Sequence, residues 1–510
     1  MSSKDLARWA ISEIKRLKLG PILVCSGARN SPLVIALEEH KLDSISFVSE
    51  ASAGFYAVGL AQNSYKPVVI TSSGTAVAQL LAPAIEAFYD NRFILFLTAD
   101  RPKSYRSSGA PQSIEQKDIF GSYCSNCLDI DSIPKNEIHM DDSKPMHINL
   151  CLDNPLNWMA ADQIDPFPEK LIFNKLASES SELNLKGDEL FVISRLSKNE
   201  VPAVERFLKN NSVCVLLEAS SQIAKNFKGK ALILKQAEKL LKKIELKQYF
   251  SKVVHFGGVP TTRLWRDLAE ESSLEVESYG RGEFSGIPGV ARVCGKTLLE
   301  QCLNIEALEN KNLPKLEQLD CVLENKFVDT AKLNPSSEAN LYAQLSKQLN
   351  SEDSLYLGNS MPIRMYDMCQ FPSVKSVYAN RGANGIDGQI NSFLGSSFSH
   401  QGRSLAVLGD LTSFYDLGGL WAHNFSTAKC LVLIIMNNSG GMIFKRTKSP
   451  EKMLSRHQIN FSGLEKLYPE FSYQAWTEIK KLPIEGKHII EIFPEEKQTD
   501  QFWQEWDSIK

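Results

Sequence analysis

The 510-residue sequence has little of what would mark a secreted, membrane-spanning or polyanion-binding protein. Its 10 Cys are too sparse and irregular for a disulfide framework, so reduced thiols in a cytoplasmic protein are the expectation. The opening MSSKDLARWAISEIKRLKLG sets Leu6, Trp9, Ala10, Ile14 and Leu17 at helical spacing and carries Asp5 and Glu13. It has neither the apolar h-region of a signal peptide nor the acid-poor face of a transit peptide. The longest strongly apolar stretch, Cys430 to Met436, falls far short of the roughly 18 residues a membrane span requires. Charge of one sign is missing too: 57 Lys plus Arg against 60 Asp plus Glu leave a net charge of -3, with no long-range field for nucleic acid or an anionic membrane. Any anion must be gripped locally. No G-x-G-x-x-G follows a strand pattern, which removes support for NAD or FAD. GVARVCGKT has five residues between Gly289 and Gly295 where a P-loop needs four. Cys124 and Cys127 form a lone C-x-x-C and read as two ordinary thiols; His147 and His255 lie in apolar strand patterns and read as satisfied core residues.

What is present is an alternation of short β-branched runs with longer amphipathic segments, which argues for parallel sheets with crossover helices. The length predicts about three domains. The expected class is α/β, in three domains of mostly parallel sheet flanked by helices: 1–175, 176–330 and 331–510. Strands are expected at Ile22–Cys25, Ile45–Val48, Val68–Thr71, Phe93–Thr98 and Met146–Leu150 in the first. The second has Leu190–Ile193, Val213–Glu218, Ala231–Leu234 and Lys252–Phe256, and the third Leu355–Gly358, Val377–Asn380, Ser404–Leu408 and Leu431–Met436. The polar stretch from Asn310 to Ser336 reads as a linker containing a helix. Ligands of open α/β sheets collect beyond the carboxyl ends of strands, so the turns SGARNSP, SEASAG, SSGT and ADRP are where a site would be built.

Chemistry concentrates in SLAVLGDLTSFYDLGGL followed by CLVLIIMNNSGGMIF. One buried strand delivers Gly409 and Asp410 to its end, and the next delivers Asn437, Asn438, Ser439, Gly440 and Gly441. A carboxylate, an amide oxygen and backbone carbonyls are the hard oxygen ligands Mg²⁺ prefers, and the glycines permit close approach of a diphosphate. Taken singly, Gly-Asp or Asn-Asn is a turn signal; together, at the ends of two apolar strands, they point to a metal–diphosphate site.

That arrangement resembles the thiamine diphosphate signature, with Leu411 where the signature usually has a further Gly. CSGARNSPL, TSSGTAVAQLLAPAIEA, LTADRP, SGAPQSIEQ, GNSMPIR and NRGANGIDG narrow the resemblance to the 2-succinyl-5-enolpyruvyl-6-hydroxy-3-cyclohexene-1-carboxylate synthases of menaquinone biosynthesis. The resemblance runs through nearly all of the first and third domains and is weak in the middle one. It implies decarboxylation of 2-oxoglutarate and conjugate addition of the four-carbon carbanion to isochorismate. Asp410, Asn438 and the carbonyl of Gly440 are implied as ligands of Mg²⁺, with Mn²⁺ as an alternative ion. Glu50 in FVSEASAGFYAVGLA is the implied catalytic carboxylate on the pyrimidine-binding domain, opening a helix whose Gly54, Ala57 and Gly59 permit close packing. Further cofactor contacts are implied for Ser73, Gly74, Gly409, Leu411, Gly441, Ile443 and Ile386, the last as the prop that bends the cofactor. Both substrates are dianions that guanidinium groups grip in bidentate fashion. Ser360, Arg364 and Arg381 are implied on the 2-oxoglutarate side; Arg29, Arg101, Gln112 and Arg263 on the isochorismate side. The family places the cofactor between subunits, so a homodimer or homotetramer is expected, with no nucleic acid or membrane partner. Four positions depart from the family pattern: Ala28, Ala51, Pro111 and Thr262. They touch mostly the isochorismate half and leave two other readings open, a different thiamine diphosphate-dependent decarboxylase or carboligase, and a catalytically silent paralogue.

Overall fold

The computed structural model describes residues 2–153, 166–174, 184–271, 274–280, 282–290, 292–293, 305, 307–369, 371–447 and 449–509. The expected domain boundary at 175 and most of the GVARVCGKT segment lie outside the described residues.

Three six-stranded, all-parallel sheets carry the fold. The first contains β1 (Ile22–Cys25), β2 (Ile45–Phe47), β3 (Val68–Thr71), β4 (Leu95–Asp100), β5 (Asn126–Ile130) and β7 (Met146–Cys151), in the order β2-β1-β3-β4-β7-β5. A small ribbon pairs β6 (Ile138–Met140) with β8 (Leu171–Phe173). The second contains β9 (Leu190–Ile193), β10 (Cys214–Leu217), β11 (Leu232–Ile233), β12 (Lys252–Phe256), β13 (Glu275–Tyr279) and β14 (Arg292–Val293), in the order β11-β10-β9-β12-β13-β14. The third contains β15 (Ser354–Leu357), β16 (Ser376–Tyr378), β17 (Arg403–Gly409), β18 (Cys430–Met436), β19 (Phe471–Trp476) and β20 (Gly486–Ile492), in the order β16-β15-β17-β18-β20-β19. Renumbered within their own sheets, the first and third have the same strand order, so each reverses direction between its first and third strands, β1/β3 and β15/β17. A reversal point of this kind opens a crevice at the carboxyl ends of the strands.

Burial explains the strands. All seven residues of β18 are buried, as are all of β4 and β7, which is the composition of a parallel strand covered on both faces. β4 runs to Asp100 instead of ending at Thr98 because its ladder with β7 continues to the pair Asp100–Cys151. His147 and His255 are buried and partnered, by Thr98 Oγ1 at 2.8 Å and by Ser194 and Ser278 hydroxyls at 2.9 Å each.

Backbone contacts divide the chain into two units. The first comprises Met1–Lys175, Asn380–His400 and Tyr415–Thr427; the second Leu176–Ala379, Gln401–Phe414 and Ala428–Lys510. The first unit thus recruits two short stretches from far along the chain. Its opening helix, Ser3–Arg16, is started by a capping box between Ser2 and Asp5 and buries Leu6, Trp9, Ala10 and Ile14 as its spacing predicts. Among the described residues no helix is long and apolar enough to cross a membrane.

Candidate active site: two half-sites on strand ends

In the first unit the candidate residues gather over the carboxyl ends of β1 and β3. Ser49 caps the helix Glu50–Gln62 by accepting the N–H of Ser52, which leaves Glu50 as its first residue. The Thr71 hydroxyl at the end of β3 donates to Oε1 of Glu50 at 3.2 Å. At the end of β1, burial and the nearby Glu50 charge push the Cys25 thiol up to about 12, so it stays protonated. Gly27 lies so close to Ser72 that a Cβ there would fall 2.6 Å from its Oγ. Gly74 turns the chain at φ +87°, its N–H donating to Oε1 of buried Gln116 at 2.7 Å, and Gln112 Cα lies 3.2 Å from where a Gly74 Cβ would be. Gln112 is therefore held beside the turn that carries Ser73 and Gly74.

The helix that begins with Glu50 is locked by an unusually close crossing with the helix Gln389–Ser396. A Cβ on Gly59 would fall 2.0 Å from the Ser392 carbonyl oxygen, and one on Gly395 2.1 Å from that of Tyr56. Ser392 Oγ donates to the Phe55 carbonyl at 3.0 Å and accepts from Asn380 Nδ2 at 3.0 Å. Gly54 meets Pro83 in the same way, so the small residues noted in the sequence are contact points. Arg381 follows Asn380 and is buried; the turn after it is fixed by Glu86, whose carboxylate accepts the N–H groups of Gly382 and Ala383 at 2.7 Å each. Ile386 is 38% exposed and is no part of the core. Tyr415 is 65% exposed, whereas half-buried Asp416 accepts from the backbone N–H and Nδ2 of Asn391.

Arg29 and Arg101 also belong to this unit. Burial and the Arg101 cation lower the pKa of Arg29, which donates to the Leu152 carbonyl at 3.3 Å. Arg101 donates from Nε to the Pro111 carbonyl at 3.1 Å and packs over Tyr105. Between Arg101 and Gln112, Arg106 anchors the loop that carries them, bonding both oxygens of Asp129 at 2.5 and 2.8 Å and Asp100 at 3.2 Å. The carboxylate-and-thiol cluster of Asp100, Asp129 and Cys151 has metal-like spacing, but Arg106 already supplies its cation.

In the second unit the ends of β17 and β18 meet. Gly409 closes β17 and Asp410 opens the next helical turn, 2% exposed. Oδ1 of Asp410 accepts the N–H of Leu411 at 2.6 Å, Oδ2 accepts that of Gly440 at 3.0 Å, and His457 Nε2 lies 3.2 Å from Oδ2. Burial pushes the Asp410 pKa up, against those N–H groups and His457, which favour the carboxylate. Ser439 and Gly440 both have positive φ, +63° and +141°, and fold the Asn-Asn-Ser-Gly-Gly segment back over the strand end. A Cβ at Gly440 would fall 2.5 Å from the Leu454 carbonyl oxygen. The Gly440 carbonyl accepts the Met442 N–H at 2.9 Å, leaving one lone pair free. Asn438 Oδ1 is fully buried with no hydrogen-bond partner, while its Nδ2 donates to Glu338 Oε2 at 3.4 Å. An enclosed amide oxygen without a donor, beside a carboxylate and a carbonyl with a free lone pair, fits a hard divalent cation. Glu338 is held up to about 7 by burial, opposed by the Asn438 hydrogen bond and reinforced by the Asp410 charge.

The remaining candidates lie in this unit too. Ser360 has φ +72° and its carbonyl accepts from Arg364 Nη1 at 2.5 Å; burial lowers the Arg364 pKa. Thr262, Arg263, Arg364 and Ile443 line one cavity of about 690 Å³, so the structure brings together a residue expected on each substrate side. Glu218 shapes its rim by accepting the N–H groups of Thr261 and Thr262 at 2.6 and 2.9 Å. Gln116, Glu338 and His457 were not singled out by motif, because each acts from an element remote in sequence from the residue it touches.

Comparison with known proteins agrees with this geometry. Residues 4–119 match the family model described as the thiamine pyrophosphate enzyme N-terminal TPP binding domain. Over its whole length the chain is 35% identical to a 2-succinyl-5-enolpyruvyl-6-hydroxy-3-cyclohexene-1-carboxylate synthase of Bdellovibrio bacteriovorus, covering 99% of that protein. Proteins of the same name from Akkermansia muciniphila and Bacillus pumilus are 33% and 29% identical, over 94% and 92% of this chain and 94% and 91% of theirs. With the cofactor-domain match, the Asp410–Asn438 strand ends and full-length similarity in agreement, the chain belongs to the 2-succinyl-5-enolpyruvyl-6-hydroxy-3-cyclohexene-1-carboxylate synthase family of thiamine diphosphate-dependent enzymes.

Proposed function

We propose that the protein decarboxylates 2-oxoglutarate and adds the resulting four-carbon carbanion to isochorismate, with the division of labour expected from the sequence: 1–175 for the pyrimidine ring, 331–510 for the diphosphate and its metal, and 176–330 contributing Arg263. Thiamine diphosphate, when bound, supplies the electron sink for decarboxylation. Asp410, Asn438 Oδ1 and the Gly440 carbonyl would hold Mg²⁺, or Mn²⁺ in its place, and Gly409, Leu411, Gly441 and Ile443 would line the diphosphate's path. The observation that carries this reading is the buried, partnerless Oδ1 of Asn438 beside Asp410.

Glu50 holds and returns a proton at the aminopyrimidine edge, with Thr71 fixing one of its carboxylate oxygens so that the other is left for the ring. Ser73 and Gly74 would contribute backbone at the same edge, and half-exposed Ile386 would support the bound cofactor. Ser360, Arg364 and Arg381 orient 2-oxoglutarate; Arg29, Arg101, Gln112 and Arg263 orient isochorismate. Guanidinium groups at fixed positions suit two dianions in a chain without a net field. A homodimer is the smallest active unit in this reading, and a tetramer is its doubled form; light scattering during gel filtration distinguishes them.

The test is Glu50→Gln in an assay scoring CO₂ release from 2-oxoglutarate with and without isochorismate. The variant is expected to lose activity by about 10²–10⁴-fold while its melting temperature holds, the usual contribution of a positioned proton-transfer group. Full activity in Glu50→Gln sinks the assignment. CO₂ release by the unmodified protein with no adduct formed replaces it with a simple 2-oxo acid decarboxylase.

A further inference from the structure

The two adjacent asparagines after β18 are used differently. Asn437 is engaged at both ends: Nδ2 donates to Glu491 at 2.5 Å and to the Ile459 carbonyl at 2.9 Å, and Oδ1 accepts from the Ser439 N–H at 3.1 Å. It ties the turn to β20. Asn438 has its oxygen free and its amide nitrogen on Glu338. The two ends of a carboxamide have nearly the same shape, so which end faces a given direction is decided by the hydrogen-bonding character of its neighbours. Oε2 of Glu338 is the acceptor that faces Asn438, so the NH₂ end turns to it and Oδ1 points the other way.

Glu338 is built to do this. It is 2% exposed and sits on the first turn of the helix Glu338–Ser346, which Ser337 caps by accepting the Asn340 N–H at 3.3 Å. The Glu338 N–H donates to Thr499 Oγ1 at 3.0 Å, pinning the helix start to a second element. Among the described residues Glu338 forms no ion pair, so its Oε2 serves Asn438.

Resting on the proposed metal site, we infer that Glu338 is a positioning residue: it does not touch the metal but orients the Asn438 carboxamide so that Oδ1 is presented to it. Metal ligands held by such outer partners commonly lose affinity by about 10–100-fold when the partner is removed.

The experiment is a Mn²⁺ titration of the full-length protein with thiamine diphosphate present, free ion being followed by electron paramagnetic resonance, for the unmodified protein, Glu338→Ala and Glu338→Gln. Glutamine keeps an acceptor oxygen at the same reach and alanine does not. Glu338→Ala is expected to weaken Mn²⁺ binding about 10-fold or more, and Glu338→Gln to recover it to within about 3-fold of the unmodified protein. A general loss of stability does not produce that rescue. Equal affinity in Glu338→Ala and the unmodified protein, or Glu338→Gln as weak as Glu338→Ala, overturns the positioning role while leaving the metal site intact. Absence of Mn²⁺ binding in the unmodified protein overturns the metal site itself, and this inference with it. Should Glu338→Ala not fold, Glu338→Met removes the same acceptor at nearly constant volume and is read by the same criteria.

Discussion

The backbone N–H of Gly440 donates to Oδ2 of Asp410 at 3.0 Å, stitching the end of β18 to the end of β17. The bond depends on a chain reversal through φ +141°, with only a hydrogen facing the Leu454 carbonyl. Gly440→Ala therefore strains the turn by about 1–3 kcal/mol. Thiamine diphosphate binding in the presence of Mg²⁺, followed by tryptophan fluorescence, is expected to weaken at least about 10-fold, beyond what the lowered melting temperature accounts for. Unchanged binding argues against the turn as a cofactor cradle.

Gly59→Ala tests the helix crossing that carries Glu50. The added methyl would fall 2.0 Å from the Ser392 carbonyl oxygen, a backbone atom that cannot swing aside. Overpacking of this kind costs about 1–3 kcal/mol, sometimes more, and urea unfolding measures it. Because the helix must shift to make room, activity is expected to fall further than stability does.

Arg106 makes a pH-dependent contribution. Burial alone would raise the Asp129 pKa, but hydrogen bonds from Arg106 and Asn149 and the Arg106 charge outweigh it and hold the group at about 2, below its ordinary value of 3.8. A depressed carboxyl stabilises the fold fully above its unfolded pKa and loses that contribution as pH falls through the folded one. The window is thus pH 4 down to about 2. Arg106→Ala is expected to cost about 1–3 kcal/mol near neutrality, by taking the cation from half-buried Asp129 and buried Asp100, and to shrink the loss of stability on acidification. The Arg101–Gln112 loop loses its anchor as well, so KM for isochorismate rises more than kcat falls.

Most strands that the sequence made legible are buried throughout, Ile45–Phe47 with its exposed Ser46 being an exception. Cys430–Met436 is continuous apolar sequence because every residue of β18 is buried. The edge strand Phe471–Trp476 escaped because its middle residues are exposed or half-exposed, and Asn126–Ile130 because none of its five residues is fully buried. The polar stretch read as a linker is largely the helix Leu313–Leu333, whose apolar face is the sparse set Leu316, Leu323, Phe327 and Ala331. At the candidate site, Asp410 and Asn438 were readable because they stand within two residues of their strand ends. Glu338 stands 100 residues from Asn438, and Gln116 stands 42 from Gly74, so only the fold reveals these pairs. Glu50 belongs between the two classes: its position at a strand-to-helix turn was visible, but not the crossing that holds the helix.

That crossing has a consequence for how the protein is made. Phe55 and the Ser392 hydroxyl that bonds its carbonyl are 337 positions apart in the chain. At the usual pace of synthesis, roughly 5–20 residues per second, the partner helix leaves the ribosome about 20–70 s after the one it must receive. Until then the helix face that carries Gly59 is without its partner. The first sheet can assemble during translation, but the helix that begins with Glu50 can be locked only after most of the polypeptide exists.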